Sequence, residues 1–257
     1  MQLDTVRAVV TGAARGLGWH FALELLRSGA HVAAGDIDIP GLRRLKLAAE
    51  GLPGVLFVAP LDVADERGAA AFIDQAWSRL GGLNVLINNA GILRDGLLVR
   101  PEAEGRAGKL PNSQWSKVLE VNLTGAFLMA RELAARLLDE QATAAVIVNV
   151  SSLARAGNPG QSSYAASKAG LDAATRTWAL ELAPFGIRVA GVAPGVIDTP
   201  ILEGVSDAAL AALKEAIPLG RLGRPDEVWL AVKFIIECDF FTGRTVEVDC
   251  GAAMGGA

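Results

Sequence analysis

Short apolar runs alternate with longer amphipathic stretches along this chain, and this rhythm predicts strands and helices taking turns around a parallel sheet. Several runs are unbroken sequences of Val, Ile and Ala, as expected for strands that helices cover on both faces. The predicted strands are residues 7–11, 31–35, 55–59, 85–88, 145–150, 188–193 and 245–248. The predicted helices are residues 16–28, 42–50, 66–80, 113–138, 163–182 and 225–236. The pattern therefore predicts a doubly wound α/β fold with a seven-stranded parallel sheet, in a single domain over residues 1–257.

Two stretches depart from this rhythm. Residues 94–112 hold seven charged residues together with Gly96, Gly105 and Gly108, which favours a solvated surface excursion. Residues 201–223 follow a Pro-Gly turn and contain a short helical pattern at 207–216. Because loops at the carboxyl edge of an open sheet often carry function, we expect this second stretch to form a substrate lid.

The composition narrows the class of protein. The 257 residues are 51% hydrophobic and 20% charged, and no linker or low-complexity tract divides them. A net charge of -4 and a pI near 5.3 argue against a nucleic-acid surface, where a basic patch is expected. No run approaches the roughly 18 uninterrupted apolar residues of a membrane span, and Asp4 and Arg7 interrupt any N-terminal targeting segment. We therefore expect a soluble, cytoplasmic protein that binds neither nucleic acid nor membrane.

Cysteine and histidine are scarce. Cys238 and Cys250 are too few for a disulfide scaffold and lack metal-ligand spacing, which is typical of a reducing compartment. His20 and His31 do not lie in a ligand-like cluster of the sequence. We therefore expect neither a metal site nor a serine-histidine hydrolase.

A glycine-rich turn follows the first predicted strand and opens directly into a helix. Gly12, Gly16 and Gly18 would let the backbone approach a pyrophosphate closely, and the unpaired amides at the helix start would bind its charge. Their spacing differs from the Gly-x-Gly-x-x-Gly fingerprint, so the support comes from the order strand, turn and helix. The alternative is a glycine turn that serves packing alone.

Asp36 ends the second predicted strand, eighteen residues after Gly18, where a carboxylate can hydrogen-bond an adenosine ribose hydroxyl. A carboxylate there would repel a ribose 2′-phosphate, so Asp36 favours NAD over NADP. Arg15 in the glycine turn could instead pair with such a phosphate, and this leaves NADP as the alternative cofactor.

Tyr164 is the only tyrosine of the chain, and Lys168 follows it four residues later. On a helix, residues four apart share one face, so both side chains can enter one site. An ammonium group close to a phenol favours the phenolate and would lower the phenol pKa below its ordinary value of about 10. The pattern is short, and by itself it also fits an interfacial tyrosine with a solvated lysine nearby.

The glycine turn and the Tyr-Lys pair resemble motifs of the short-chain dehydrogenase/reductase family, and the resemblance covers essentially the whole chain. It implies a Rossmann fold that binds a nicotinamide dinucleotide. The family's catalytic positions fall on Asn122, Ser151, Tyr164 and Lys168. Its cofactor-binding positions fall on Gly12, Arg15, Gly16, Leu17, Gly18, Asp36, Asp62, Val63, Asn89, Ala90, Gly91, Tyr164, Lys168, Pro194, Gly195, Ile197 and Thr199.

The resemblance also divides two pairs of adjacent residues. The family's spacing of thirteen residues to the tyrosine selects Ser151, and because successive residues leaving a strand point in opposite directions, Ser152 is then structural. Asn88 is expected to satisfy backbone groups between strands, while Asn89 lines the cofactor.

The roles that the resemblance implies form one mechanism. Ser151 would hydrogen-bond the substrate oxygen, and Tyr164 would take or return its proton. Lys168 would lower the phenol pKa and hold the nicotinamide ribose, with Asn122 anchoring a water chain behind it. The nicotinamide end would lie near Ile197 and Thr199.

The resemblance leaves the small-molecule substrate less defined. The segment 217–225 is similar to the branch of 3-oxoacyl thioester reductases, whereas the 94–112 excursion is similar to a 3-hydroxyacyl-CoA dehydrogenase branch. We expect an NAD-dependent dehydrogenase of 3-hydroxyacyl compounds or other secondary alcohols. The alternatives are an NADPH-dependent 3-oxoacyl reductase and a non-catalytic dinucleotide sensor or scaffold. Helices 113–138 and 163–182 are rich in Ala and Leu, which in this family indicates a homodimer or homotetramer.

Overall fold

A computed structural model describes residues 1–102, 106–202 and 206–252. Its strands are β1 Arg7–Thr11, β2 His31–Asp36, β3 Val55–Pro60, β4 Val85–Asn88, β5 Val99–Pro101, β6 Ala107–Lys109, β7 Ala145–Val150, β8 Ile187–Pro194 and β9 Thr245–Val248. Its α-helices are α1 Gly16–Arg27, α2 Ile39–Ala48, α3 Glu66–Leu80, α4 Asn112–Leu119, α5 Gly125–Asp139, α6 Ser162–Leu182, α7 Asp207–Ala216 and α8 Pro225–Glu237. The predicted alternation of strands and helices is confirmed.

Seven of these strands form one parallel sheet in the order β3-β2-β1-β4-β7-β8-β9. The chain first builds outward from β1 to β3 and then returns to the other side of β1 with β4, which pairs Val10 with Ile87. The strand order therefore reverses between β1 and β4. In an open α/β sheet, this reversal opens a crevice at the carboxyl ends of the strands, and ligands bind there.

Helices cover both faces of the sheet, as the unbroken apolar strands predict. Successive residues of β1 point to opposite faces, so that Val9 and Val10 enter different core clusters. One core cluster includes Phe21, Leu25 and Ile235 from α1 and α8. The other includes Phe72, Met129 and Leu133 from α3 and α5. Both layers hold the carboxyl edge of the sheet rigidly in place.

The long helix predicted at residues 113–138 is interrupted. Between α4 and α5, the segment Glu120–Thr124 has π-helical hydrogen bonding and contains the buried Asn122. A Cβ at Gly125 would lie only 2.6 Å from Val63 Cγ2, so the start of α5 packs tightly on the loop after β3. Single π turns often mark functional positions, and this one carries a predicted catalytic residue.

The two irregular stretches have structure of their own. Within the surface excursion, β5 and β6 pair as an antiparallel two-stranded ribbon, which the charge pattern did not predict. In the predicted lid, α7 corresponds to the helical pattern at 207–216. Gly105 of the excursion and residues 203–205 of the lid lie outside the described residues. Among the described helices, none is both long and apolar enough to cross a membrane.

Candidate active site

The glycine turn begins where β1 ends. Gly12 and Gly16 have φ values of 66° and 58°, in the left-handed region that glycine adopts without strain. A Cβ at Gly18 would lie 2.2 Å from the Gly12 carbonyl oxygen and 2.4 Å from Asn89 Nδ2, so α1 starts in direct contact with the turn. Arg15 precedes α1 in an extended conformation and makes no side-chain cap hydrogen bond. The first amides of α1 therefore remain available to an anion in the crevice.

Thr11 fixes this turn to the neighbouring strand, a role that the sequence reasoning missed. Its buried hydroxyl oxygen accepts hydrogen bonds from the backbone N–H groups of Asn89 and Ala90, both at 3.0 Å. Asn89 Nδ2 donates in return to the carbonyl oxygens of Thr11 and Gly12, at 3.0 and 3.1 Å. The Asn89 side chain thus holds the glycine turn. Leu17, a predicted cofactor contact, is partly buried against the core below α1.

The carboxylate of Asp36 stands at the carboxyl end of β2, beside the glycine turn. Its Oδ2 accepts from the Ala14 N–H at 2.9 Å, and its Oδ1 accepts from the Asp38 N–H at 2.9 Å. Each oxygen retains a second lone pair, so the group can still accept from a ribose hydroxyl. The two backbone bonds fix the orientation of the carboxylate at the mouth of the crevice.

Asp62 and Val63, which match the Asp-Val pair that lies on the adenine side of the cofactor in the family, have different surroundings. Asp62 is exposed, and its Oδ1 accepts from the Ala64 N–H at 3.0 Å. Val63 is buried against Gly125, at the start of α5. The pair therefore connects the loop after β3 to the core, and its contact with adenine stays a prediction.

The predicted nicotinamide-side motif follows β8. Gly195 donates its N–H to Val248 O at 2.9 Å, and a Cβ there would lie 2.8 Å from Asp249 Cα, so the chain passes close to the segment after β9. Pro194 ends β8 and pairs with Val248. Ile197 is buried, and a Cβ at Gly16 would lie 3.9 Å from Thr199 Cβ. The structure thus brings the segments after β1 and β8 together in one crevice.

Asn122 is buried within the π-helical segment, and both ends of its amide are engaged. Oδ1 accepts from the Ile92 N–H at 2.8 Å, while Nδ2 donates to Ile92 O at 3.0 Å and to Ser167 Oγ at 3.2 Å. These bonds fix the chain after β4. A Cβ at Gly91 would lie 3.4 Å from Asn122 Oδ1 and 3.7 Å from Lys168 Nζ, so these three predicted residues meet.

Lys168 and Tyr164 share one face of α6, as their spacing predicts. Lys168 is buried, its Nζ donates to Val150 O at 2.7 Å, and it lies 5.7 Å from the centre of the Tyr164 ring. Desolvation by burial lowers the pKa of Lys168 to about 8.

The expected lowering of the Tyr164 pKa is wrong for the side chains as they stand. Desolvation by burial raises the pKa of this phenol, and the negative charge of Asp95 raises it further, whereas a hydrogen bond with the Ser152 side chain lowers it. The Lys168 Nζ donates to Val150 O at 2.7 Å and lies 5.7 Å from the centre of the Tyr164 ring. Asp95, which the sequence reasoning placed only in the surface excursion, is held near the site by Gln161 Nε2 at 3.2 Å.

The structure places the side chains of the two adjacent serines in different surroundings. Ser151 is buried and its Oγ donates to the main-chain oxygen of Lys168 at 3.2 Å, on the side of the sheet that α6 covers. The Ser152 side chain lies on the side of Tyr164, where it lowers the pKa of the phenol, and its Oγ accepts the Ala154 N–H at 3.1 Å. The adjacent residues do point in opposite directions, but Ser152 faces the phenol and Ser151 does not.

Asn88 belongs to a buried polar chain behind the site and bonds a helix carbonyl and a side chain, whereas backbone groups between strands were expected. Its Nδ2 donates to Ala126 O at 3.2 Å and to Asn149 Oδ1 at 3.0 Å. Asn149 Nδ2 donates onward to Thr175 Oγ1 at 2.9 Å. These hydrogen-bonded side chains connect β4 and β7 to α5 and α6, and therefore fix the two central strands behind the predicted catalytic residues.

The structure qualifies the expectation about histidine. His20 Nε2 lies 3.0 Å from Asp226 Oδ1, and with Glu24 they place three possible ligand atoms within 4.8 Å of one another. Glu24 is, however, paired with Arg27, and Asp226 is 70% exposed. We interpret this group as a contact of His20 with Asp226 that joins α1 to α8, beside an ion pair of Glu24 with Arg27 within α1.

The residues of the crevice fit a nicotinamide dinucleotide. The glycine turn leaves room that a Cβ would fill, the start of α1 presents amides, and Asp36 presents a carboxylate oriented by backbone bonds. These groups suit a pyrophosphate and a ribose diol. The buried lysine and the tyrosine stand at the other end of the same edge.

Comparisons with known proteins agree with this geometry. Residues 12–253 match a family model described as enoyl-(acyl carrier protein) reductase. The chain is 40% identical over 257 residues to the 3-oxoacyl-[acyl-carrier-protein] reductase FabG of Thermotoga maritima, covering 99% of this chain and 100% of the relative. It is 37% identical over 259 residues to the protein of the same name from Pseudomonas aeruginosa, covering 99% and 100%. A crystal structure of a short-chain type dehydrogenase/reductase from Mycobacterium marinum superimposes with a TM-score of 0.88 at 29% identity, covering 98% of this chain and 96% of that one.

Proposed function

This chain belongs to the short-chain dehydrogenase/reductase family of oxidoreductases that act on CH–OH groups with a nicotinamide dinucleotide, and we propose that it interconverts 3-oxoacyl and 3-hydroxyacyl thioesters with NAD(H). The observation that carries this proposal is that Tyr164 and the buried Lys168 lie on one face of α6, with Lys168 Nζ 5.7 Å from the centre of the phenol ring. The thioester class rests on the names of the curated relatives, which are 3-oxoacyl-[acyl-carrier-protein] reductases.

The dinucleotide supplies or accepts the hydride when it is bound. In reduction, Tyr164 donates its phenolic proton to the substrate oxygen as the carbonyl carbon gains hydride. Ser152 hydrogen-bonds both the phenol and the substrate oxygen and thereby fixes the distance between them. Lys168 holds the nicotinamide ribose and keeps a positive charge behind the phenol at neutral pH, because its pKa is about 8.

The raised pKa of Tyr164 favours the reductive direction near neutral pH. A phenol that stays protonated is ready to act as a general acid, whereas alcohol oxidation needs the phenolate as base. We therefore expect the rate of alcohol oxidation to rise with pH. The rate of carbonyl reduction should fall above about pH 8, where Lys168 loses its charge.

Asp36 supports NAD(H) as the cofactor. Its carboxylate is fixed by Ala14 and Asp38 at the end of β2, where it can bind a ribose diol and repel a 2′-phosphate. An NADPH-dependent 3-oxoacyl reductase is the second candidate, since the exposed guanidinium of Arg15 lies in the adjacent turn and could pair with that phosphate.

The test is a substrate screen with NADH and NADPH in parallel. Acetoacetyl-CoA represents the 3-oxoacyl thioesters, and a 2-enoyl-CoA and simple ketones serve as competitors. We expect NADH-dependent reduction of acetoacetyl-CoA. NADPH binding at least tenfold tighter than NADH, about 1.4 kcal/mol, would establish the second candidate. NADH binding without turnover of any carbonyl would favour the sensor or scaffold reading.

The two adjacent serines provide a matched pair of variants. Ser152→Ala should lower kcat by about 10²-fold, the cost of losing one donor to a developing oxyanion. Ser151→Ala removes only the hydrogen bond to the Lys168 main chain and should leave kcat within about threefold of wild type. The opposite order of the two variants would restore Ser151 as the catalytic serine.

The oligomeric state is part of the proposal. α5 exposes Phe127 and Leu138, and the end of α6 exposes Leu180, which leaves apolar surface on the two helices that the sequence analysis assigned to subunit contacts. We propose a homodimer or homotetramer, which sedimentation at micromolar concentration would distinguish from a monomer. A cytoplasmic location and a substrate lid at 201–223 remain part of the same proposal.

A further inference from the structure

Arg155 lies just behind the serine that faces the catalytic phenol. It belongs to the short 3-10 helix Leu153–Ala156, which follows β7 and whose N-cap is Ser152. Arg155 Nη1 donates to the main-chain oxygen of Ser152 at 3.3 Å. The guanidinium therefore contacts the backbone of the very residue whose hydroxyl hydrogen-bonds Tyr164.

The same guanidinium is held by two other elements. Arg155 Nη2 donates to Glu247 on β9, and its Nε lies 3.6 Å from Asp172 Oδ2 on α6. The side chains of Arg155 and Asp172 are only 17% and 15% exposed. A partly buried Arg with two carboxylate partners is held in one orientation, because its planar group presents several donors in a fixed geometry.

Asp172 is itself anchored from two further directions. Its Oδ1 accepts from Thr245 Oγ1 on β9, and its Oδ2 accepts from Arg176 Nη1 at 3.1 Å. The charges therefore join the edge strand, the catalytic helix and the turn after β7. A cavity of about 510 Å³ adjoins these residues and is lined by Arg155, Asp172, Arg176 and Glu247 among others. The Ser152 main-chain oxygen also accepts from the backbone N–H of Arg155 at 3.1 Å, so the guanidinium adds a second, side-chain contact to that oxygen.

From this arrangement we infer that Arg155 is a positioning residue for the reaction: its contacts with Glu247 and Asp172 fix the Ser152 backbone, and so place the Ser152 hydroxyl between Tyr164 and the substrate oxygen. The inference rests on the proposed function, since it assigns Ser152 to the substrate. Arg155 acts only through the main chain and touches no reacting atom. A displacement of Ser152 by a fraction of an ångström would lengthen the hydrogen bond that matters in the transition state.

The central experiment is a double-mutant cycle between Arg155→Met and Ser152→Ala, with acetoacetyl-CoA reduction as the assay. Methionine keeps much of the apolar stem and removes the guanidinium. Alone, Arg155→Met should lower kcat by about tenfold while the dissociation constant for NADH stays within about twofold. In the Ser152→Ala background, Arg155→Met should change kcat by less than about twofold, because the group it positions is gone.

Arg176→Met is the matched control. Arg176 also pairs with Asp172, through Nη1 at 3.1 Å, but makes no contact with the Ser152 carbonyl. The variant Arg176→Met should therefore leave kcat within about twofold of wild type. Arg155→Lys should recover part of the lost rate, since one ammonium can replace one of the guanidinium contacts.

The outcomes separate this inference from the function on which it rests. Wild-type kcat in Ser152→Ala would overturn the role of Ser152 and the positioning role together. A low kcat in Ser152→Ala combined with a normal kcat in Arg155→Met would overturn the positioning role alone. The same conclusion would follow if the fold-loss of kcat in the double variant equalled the product of the fold-losses in the two single variants. If Arg155→Met does not fold, Glu247→Gln is the replacement variant, because it weakens the hold on the guanidinium at a partner that is 57% exposed. Glu247→Gln should lower kcat less than Arg155→Met, and this loss must vanish in the Ser152→Ala background.

Discussion

Replacing Lys168 by methionine tests the electrostatic cost of the buried ammonium group. Lys168 is 4% exposed, and its Nζ is bonded to Val150 O at 2.7 Å. Burial lowers its pKa from 10.5 to about 8. Since one pKa unit corresponds to about 1.36 kcal/mol, holding the charged form inside the folded protein costs about 3 kcal/mol below pH 8.

The sign of the pH dependence follows from proton binding. Between about pH 8 and 10.5 the unfolded chain keeps the lysine proton and the folded protein releases it. Stability rises with pH wherever the unfolded state binds more protons. Because of this lysine, the free energy of unfolding of the wild-type protein should be about 2 kcal/mol higher at about pH 9.5 than at about pH 7. Lys168→Met should lack this increase.

Urea denaturation at both pH values measures the effect. The quantity of interest is the change with pH of the stability difference between variant and wild type, which cancels the pH response of all other groups. The variant also lacks the hydrogen bond to Val150 O, which contributes about 1 kcal/mol to the stability difference between variant and wild type. Lys46→Met, on the exposed face of α2, serves as the control. Equal pH dependence in wild type and Lys168→Met would refute the reasoning.

Three further variants test the cofactor end. Gly18→Ala should raise the dissociation constant for the dinucleotide by about tenfold or more, about 1.4 kcal/mol, because its Cβ would overlap the glycine turn; isothermal titration checks this, and unchanged affinity would contradict it. Thr11→Val should lower the free energy of unfolding by about 1–3 kcal/mol, since two partly buried N–H groups lose their acceptor, whereas Thr5→Val, at an exposed site, should not. Asp36→Ala should shift the ratio of kcat/KM for NADPH over NADH upward by about tenfold, by removing a charge that repels the 2′-phosphate. Asp62→Ala is the control variant. An equal shift of the ratio in both variants would contradict a specific role of Asp36 in cofactor choice.

The fold and much of the site followed from patterns within single elements. Strand positions were readable because β1, β4 and β7 each contain a short apolar run, and the Tyr164–Lys168 pair was readable because four residues make about one helical turn. Interruptions were harder to see. Residues 113–138 read as one helix because Ala and Leu continue through them. The structure has a π turn at Glu120–Thr124, next to the tight packing of Gly125 on Val63.

The serine pair shows where reasoning from spacing ends. Alternation along an extended chain predicts that Ser151 and Ser152 point apart, and they do. Which of them faces the phenol depends on how the turn after β7 meets α6. The raised pKa of Tyr164 likewise depends on tertiary structure, because desolvation depends on every group packed around the phenol. The spacing in the sequence shows only that a lysine is near.

The sequence by itself thus determined the doubly wound sheet, the glycine turn at the end of β1, and the tyrosine and lysine on one helix face, since each depends on residues close together along the chain. Only the tertiary structure decided that Ser152 meets the phenol, that Asp36 is oriented by two backbone amides, and that Arg155 joins three elements behind the site. The physical reason is that backbone periodicity fixes directions within an element, while contacts between elements distant in sequence depend on packing and on the ends of strands, where that periodicity stops.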